Sequence, residues 1–232
     1  TSYKSPEIYD ASDIYCYKNN ILRISSKMNG ELKIFDKSGK KISDGSISGI
    51  KGWLEGITYK RMSNQFYVID WTDNKSIKVT DSKFNTVAKI QLPANIEPSG
   101  IEITDDNRIF ILSRKDKIFE IDDTGRIIRE LNISSKLNFN FAGKGITSID
   151  NKLIVGTSEY GDKPGNLIFV DIASLEITNV INVYDIMKNA ALADRELGFS
   201  GMTVDKDNKM LYFTLRTKPF LNLLKIEEQA IN

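Results

Sequence analysis

The chain has 232 residues, 41% hydrophobic and 27% charged, with 32 Lys and Arg against 31 Asp and Glu and a formal net charge of +1. That balance gives no general electrostatic grip on nucleic acid or anionic lipid, and no apolar run approaches the ~18 residues of a membrane span. Histidine is absent and Cys16 is the single cysteine, which excludes Ser-His-Asp and Cys-His catalysis, His-ligated zinc, multi-cysteine metal sites and an internal disulfide framework.

Taken in chain order, a small residue followed by a β-type apolar run recurs: Ala11-Ser12-Asp13-Ile14-Tyr15, Leu54-Glu55-Gly56-Ile57-Thr58, Pro98-Ser99-Gly100-Ile101-Glu102, Gly143-Lys144-Gly145-Ile146-Thr147 and Phe199-Ser200-Gly201-Met202-Thr203. Successive spacings are 43, 44, 45 and 56 residues. Each unit continues with a polar turn, such as Met62-Ser63-Asn64 or Asp105-Asp106-Asn107, and a second apolar run, such as Phe66-Tyr67-Val68-Ile69. A third run ending in Asp follows, at Asp36, Asp81, Asp122 and Asp171, and usually a last strand. Four short strands per ~40 to 45 residues describe the blade of a β-propeller. The expected fold is therefore all-β: a five-bladed propeller of four-stranded antiparallel blades, a single domain over residues 1–232. The last unit supplies three strands, and Tyr3 to Tyr9 is expected to complete it and remove an exposed sheet edge. The long fourth spacing falls in Asp185 to Leu197, where Ile186, Ala190, Ala193 and Leu197 form one apolar stripe; this predicts an inserted helix. The chain opens at Thr1 rather than Met, which fits removal of a leader and an exported or periplasmic location.

In such a blade the first strand starts, and the antiparallel second strand ends, at the same rim. Ser12, Glu55, Ser99, Lys144 and Ser200 are therefore expected around one channel mouth, joined by the loops that hold Asp70 to Asp73, Arg114, Glu159-Tyr160 and Arg216. Concave mouths with a few convergent polar groups are the usual place for a ligand. Glu55, Lys144, Arg114 and Arg216, with the aromatic Tyr160 and Trp71, are the expected ligand-binding residues; guanidinium forks suit carboxylate or phosphate. Glu55, Asp70 and Asp73 are hard oxygen donors that would suit Ca²⁺. Glu55 and Lys144 occupy equivalent positions two repeats apart and are expected to face each other. Trp53 and Cys16 read as packing residues, and Lys37 to Lys41 as a solvated hairpin tip.

The Glu-Gly-Ile-Thr-Tyr and Ser-Gly-Ile starts, the Phe-Tyr-Val-Ile-Asp second strand and the Ile-x-Val-x-Asp third strand resemble the SdiA-regulated (YjiK-like) propeller family and, more loosely, NHL-type propellers. The resemblance covers roughly residues 11 to 226 and implies a bacterial, exported propeller. Ala11 to Tyr15 and Lys152 to Thr157 are also similar to five-bladed calcium-activated nucleotidases. Two functional expectations follow. The first is a non-catalytic propeller binding a small polar ligand or a protein segment at the channel mouth. The alternative is a Ca²⁺-dependent hydrolase of nucleotidase or lactonase type, whose base would be Glu55, Asp70, Asp73 or Glu159 in the absence of histidine.

Overall fold

A computed structural model describes residues 2–4, 11–25, 30–50, 52–73, 75–137, 141–159, 165–183, 199–215 and 218–225. The chain opens on β1 (Ser2–Lys4), and each repeat then lays down an antiparallel meander. The first comprises β2 (Ala11–Tyr17), β3 (Asn20–Ser25), β4 (Glu31–Asp36) and β5 (Lys41–Ser46); the second, β6 (Leu54–Lys60), β7 (Gln65–Asp70), β8 (Ser76–Thr80) and β9 (Thr86–Gln91). The third is β10 (Pro98–Ile103), β11 (Ile109–Ser113), β12 (Lys117–Ile121) and β13 (Ile127–Asn132), followed by one short helical turn, α1 (Ser134–Leu137). β14 (Phe141–Ile149), β15 (Lys152–Glu159), β16 (Asn166–Asp171) and β17 (Ile177–Asn182) form the fourth, and β18 (Phe199–Asp205), β19 (Met210–Leu215) and β20 (Lys218–Lys225) end the chain. The last sheet has the order β1-β20-β19-β18, with Tyr3 opposite Leu221, so strands from the two ends of the described chain share one blade; of the segment Tyr3 to Tyr9 expected to do this, 5–9 lie outside the described residues.

The five four-stranded sheets form a closed ring. β2 packs on β6, β6 on β10, β10 on β14, β14 on β18, and β18 back on β2. This is a β-propeller in which β2, β6, β10, β14 and β18 line the centre. Apolar clusters fill the five junctions between neighbouring sheets. The junction of the first and second, for example, buries Leu22, Ile24, Leu54, Ile57 and Phe66, with Tyr17 and Tyr59 edge-on or tilted against Phe66.

The turn chemistry explains the sequence pattern. Each turn after an inner strand holds a residue with positive φ: Lys18, Asn64, Asn107, Asp150 and Lys209. The Asp that ends each third run accepts backbone N–H groups of the following turn, as Asp36 does from Ser38 and Lys40 and Asp122 from Thr124 and Arg126. These contacts hold the Asp122 carboxyl down at about 2, the Thr124 hydroxyl being the largest cause. Two expectations need correction. Lys37 is not at a purely solvated tip, because its ammonium reaches Asp205 of the fifth sheet at 2.5 Å. Trp53 is not packed between blades; it is 53% exposed on the rim. The helix expected over 185–197 lies outside the described residues, and α1 was not anticipated.

The repeated glycine sets the ring's diameter. A Cβ on Gly56 would lie 3.0 Å from the Ile101 nitrogen, one on Gly145 would lie 2.7 Å from Met202 Cγ, and one on Gly201 would lie 2.5 Å from Asp13 Cα. Each glycine thus lets the next inner strand approach closely. Gly201→Ala meets rigid backbone and is expected to cost about 3 kcal/mol or more, or to prevent folding. Gly100→Ala meets chiefly Ile146 Cγ2 at 3.1 Å, a side-chain atom with more room to shift, and should cost clearly less. Chemical denaturation of both variants checks this order.

Candidate functional site

Every inner strand breaks register with its neighbour at one place: between Ala11 and Asp13, Leu54 and Gly56, Pro98 and Gly100, Gly143 and Gly145, and Phe199 and Gly201. The bulged residues are Ser12, Glu55, Ser99, Lys144 and Ser200, the set expected at one channel mouth. A bulge re-aims its side chain, which places these five on the rim. Two of them are turned back into their own blades: Ser99 donates to the Leu112 carbonyl at 3.2 Å, and Ser200 lies 2.9 Å from the Thr214 hydroxyl. The Ser12 hydroxyl is buried without a hydrogen-bond partner.

Glu55 is 9% exposed, and its carboxylate accepts from the Arg114 guanidinium of the next blade at 2.6 Å. The ion pair seen at Glu55 is therefore with Arg114 rather than the expected one with Lys144, which sits half-buried at the equivalent bulge two sheets on. Arg114 also lies over the Trp71 ring at 4.4 Å from its centroid, and the Lys75 ammonium lies 4.8 Å from the same ring. Matching backbone bonds hold the two rim loops: Trp71 N–H donates to the Trp53 carbonyl and Arg114 N–H to that of Glu97. Glu55, Arg114 and Trp71 are thus brought together by two blades. Arg216 and Tyr160 lie outside the described residues, and nothing is described of the Glu159 side chain.

The expected calcium donors do not converge. Asp70 is buried and accepts from the Thr72 hydroxyl and from the Thr72 and Asp73 N–H groups, so it caps its own turn. Asp73 turns outward to Lys78 and Lys89, whose hydrogen bonds hold its carboxyl below the usual range. Among the described residues no three of His, Cys, Asp and Glu are grouped so as to hold a metal ion.

Two carboxyls that sequence reasoning passed over lie deeper, in the channel itself. Asp13, 2% exposed, stands where the other blades carry glycine. It accepts from Ile57 N–H of the second sheet at 3.0 Å, Met202 N–H of the fifth at 3.3 Å, and its own neighbour Ile14 at 2.9 Å. Glu102, also 2% exposed, lies two residues beyond the glycine, where the other blades have Tyr15, Thr58, Thr147 and Thr203. It accepts from Thr58 at 3.2 Å and from Ser148 at 2.5 Å, and Ser148 is approached by the Lys206 ammonium at 3.4 Å. Groups from the second, fourth and fifth sheets thus surround Glu102. The same layer straps the ring, because Thr58 accepts from Ile103 N–H and Thr203 from Cys16 N–H. A legible signal existed: aligning the repeats places one Glu and one Asp in columns otherwise filled by Thr, Tyr and Gly.

Burial drives the protonation of both. It pushes Asp13 well above the usual carboxylate range against the pull of three N–H donors, and it lifts Glu102 to about 7 despite Lys206 and the two hydroxyls. Burial, followed by the field of Glu102, also raises the Tyr15 phenol far above its normal value.

No family model matches this chain, and no curated protein matches it in sequence. Solved structures do match in shape. The chain is similar to glutaminyl cyclase from Myxococcus xanthus, with a TM-score of 0.69 and 10% identity, over 98% of this chain and 96% of that one. A protein of unknown function from Bacteroides caccae matches with a TM-score of 0.57 and 14% identity, over 88% of this chain and 69% of the other. The WD40 domain of Neurospora crassa Pan2 gives 0.52 and 12%, over 90% of this chain and 62% of its own. At such identities the likeness defines the class, an all-β propeller of four-stranded antiparallel sheets.

A carboxyl whose folded pKa is raised binds its proton more tightly in the native state, so stability falls as pH rises from the unfolded value through the folded one. For Glu102 that window runs from about 4.5 to about 7, and the loss above it is on the order of 3 kcal/mol. Glu102→Gln keeps an acceptor and cannot ionise. It is expected to flatten the decline in melting temperature between pH 5 and pH 8, leaving the variant the more stable protein at pH 8.

Proposed function

We propose that this chain is a binding propeller whose channel mouth, at Glu55, Arg114 and Trp71, receives a small polar ligand or the end of a protein segment. The Glu55–Arg114 pair over Trp71 carries the reading. It combines a buried acceptor, a donor fork and an aromatic face, each from a different strand end, at one end of the channel. A ligand with an ammonium or amide N–H beside a carbonyl or carboxylate can replace the pair partner for partner, the N–H on Glu55 and the oxygen on Arg114. A free amino acid or a peptide N-terminus has that chemistry. The likeness of the blade starts to SdiA-regulated and NHL-type propellers supports the same scaffold reading.

A second reading rests on one observation, the nearly full-length match in shape to a glutaminyl cyclase. In such a reaction the α-amine of an N-terminal glutaminyl residue attacks its own side-chain carbonyl and ammonia leaves. Glu55 would take the proton from the amine and return it to the departing nitrogen. One experiment separates the readings: a short peptide beginning with Gln is titrated while tryptophan fluorescence and ammonia release are followed. Binding alone should perturb Trp71 emission without ammonia, with Arg114→Ala weakening it about tenfold. Ammonia release lost in Glu55→Gln would establish the cyclase reading instead. No fluorescence change at millimolar peptide would remove this mouth as a peptide site.

A further inference from the structure

The inner strands carry a concavity at the ends opposite the Glu55 rim. Tyr15, Tyr17, Lys18, Tyr59, Arg61 and Asp207 are among the residues that line a cavity of about 280 Å³. These residues close β2, β6 and β18 or follow them directly, five positions or so beyond the bulges, so this pocket opens roughly 16 Å from the Glu55 layer. It is the other mouth of the channel.

Its charges are unevenly spent. Asp205 is taken by Lys37 at 2.5 Å and by Asn208 at 2.9 Å, and Lys206 reaches Asp105 at 3.0 Å. Among the described residues no carboxylate pairs with Arg61 or Lys18, although the Lys18 ammonium rests over the Tyr17 ring at 5.1 Å. The charge of Arg61 bears on the Tyr15 and Tyr59 phenols that wall the pocket. Tyr17 and Tyr59 meet edge-on at 4.8 Å, and both are packed against Phe66, so the aromatic wall is rigid. Cys16 adds no reactivity, since burial pushes its thiol up to about 11. Asp207 is the one exposed carboxylate at the lip whose charge opposes an anion.

We propose that this far mouth is a second binding site, for a small planar molecule carrying a phosphate or carboxylate head. The head meets the Arg61 fork, with Lys18 beside it, and the ring lies against the tyrosine wall. A site of this size accommodates a single ring with its anionic group rather than a polymer.

Calorimetric titration of the full chain with phenyl phosphate, benzoate and inorganic phosphate tests it. Phenyl phosphate is expected to bind once per chain at millimolar concentration or below, and more tightly than inorganic phosphate, which lacks a ring. Comparison with benzoate tells which head is preferred. Arg61→Ala should weaken binding about tenfold, and Asp207→Asn should tighten it about twofold by removing the opposing charge. Both residues are exposed, so these variants keep the fold, and a melting curve verifies this. Binding unchanged in Arg61→Ala, lost in Arg114→Ala instead, no tighter for phenyl phosphate than for inorganic phosphate, or absent at millimolar ligand would each overturn the proposal. Loss in Arg114→Ala would place the ligand at the Glu55 mouth instead, whereas the other outcomes leave peptide binding there untouched.

Discussion

Close approach of the inner strands is the constraint from which the rest of the molecule follows. Sheets can surround a common axis this tightly only if the strand nearest the axis presents almost no side chain to its neighbour. Gly56, Gly100, Gly145 and Gly201 meet that condition. At the remaining junction Asp13 takes the glycine position, and its carboxylate accepts N–H groups from both flanking blades. The ring thus closes twice. Hydrogen bonds of β1 to β20 close it at the periphery, and one side chain stitches the first sheet to the second and the fifth at the centre.

The same closeness produces the electrostatics. Inner-strand side chains beyond the glycine layer converge on a narrow axis that excludes water, so a carboxyl placed there is dehydrated whatever its neighbours. Hydroxyls from Thr58 and Ser148 satisfy Glu102 without neutralising it, and the Lys206 ammonium, which also reaches Ser148, acts on it through its charge. The channel is therefore a plugged, polar core whose proton is held up to near-neutral pH. Its two mouths are chemically distinct: one is built on Glu55, Arg114 and Trp71, the other on Arg61, Lys18 and three tyrosines.

Rim and channel differ because bulges and regular strand treat a side chain differently. A regular inner strand alternates between the axis and the inter-blade core, which is why Ile101 and Ile103 are buried in an apolar junction while Glu102 between them faces the axis. A bulge breaks that alternation once per blade and sends Glu55 and Lys144 to the mouth. Glu55 then finds Arg114 because the second strand of the next blade ends at the same rim.

What the sequence determined by itself was whatever recurs: the number of repeats, the strand order within each, the turns, and the rim position of the residue before each glycine. Each is local, set by period-two alternation, turn chemistry and a glycine at a fixed offset, and repetition makes a local signal legible. Tertiary structure decided what depends on which blades meet. The sequence could place Glu55 on the rim but could not choose Arg114 over Lys144 as its partner, since that choice rests on the reach of a side chain across a junction. It named Asp70 and Asp73 as possible ligands, whereas the folded loop turns one inward to cap its own backbone and the other outward to two lysines. Asp13 and Glu102 differ from the residues in the matching columns of the other repeats, but nothing local marks them as buried. They become buried, proton-holding groups only when five strands close around them and remove the water.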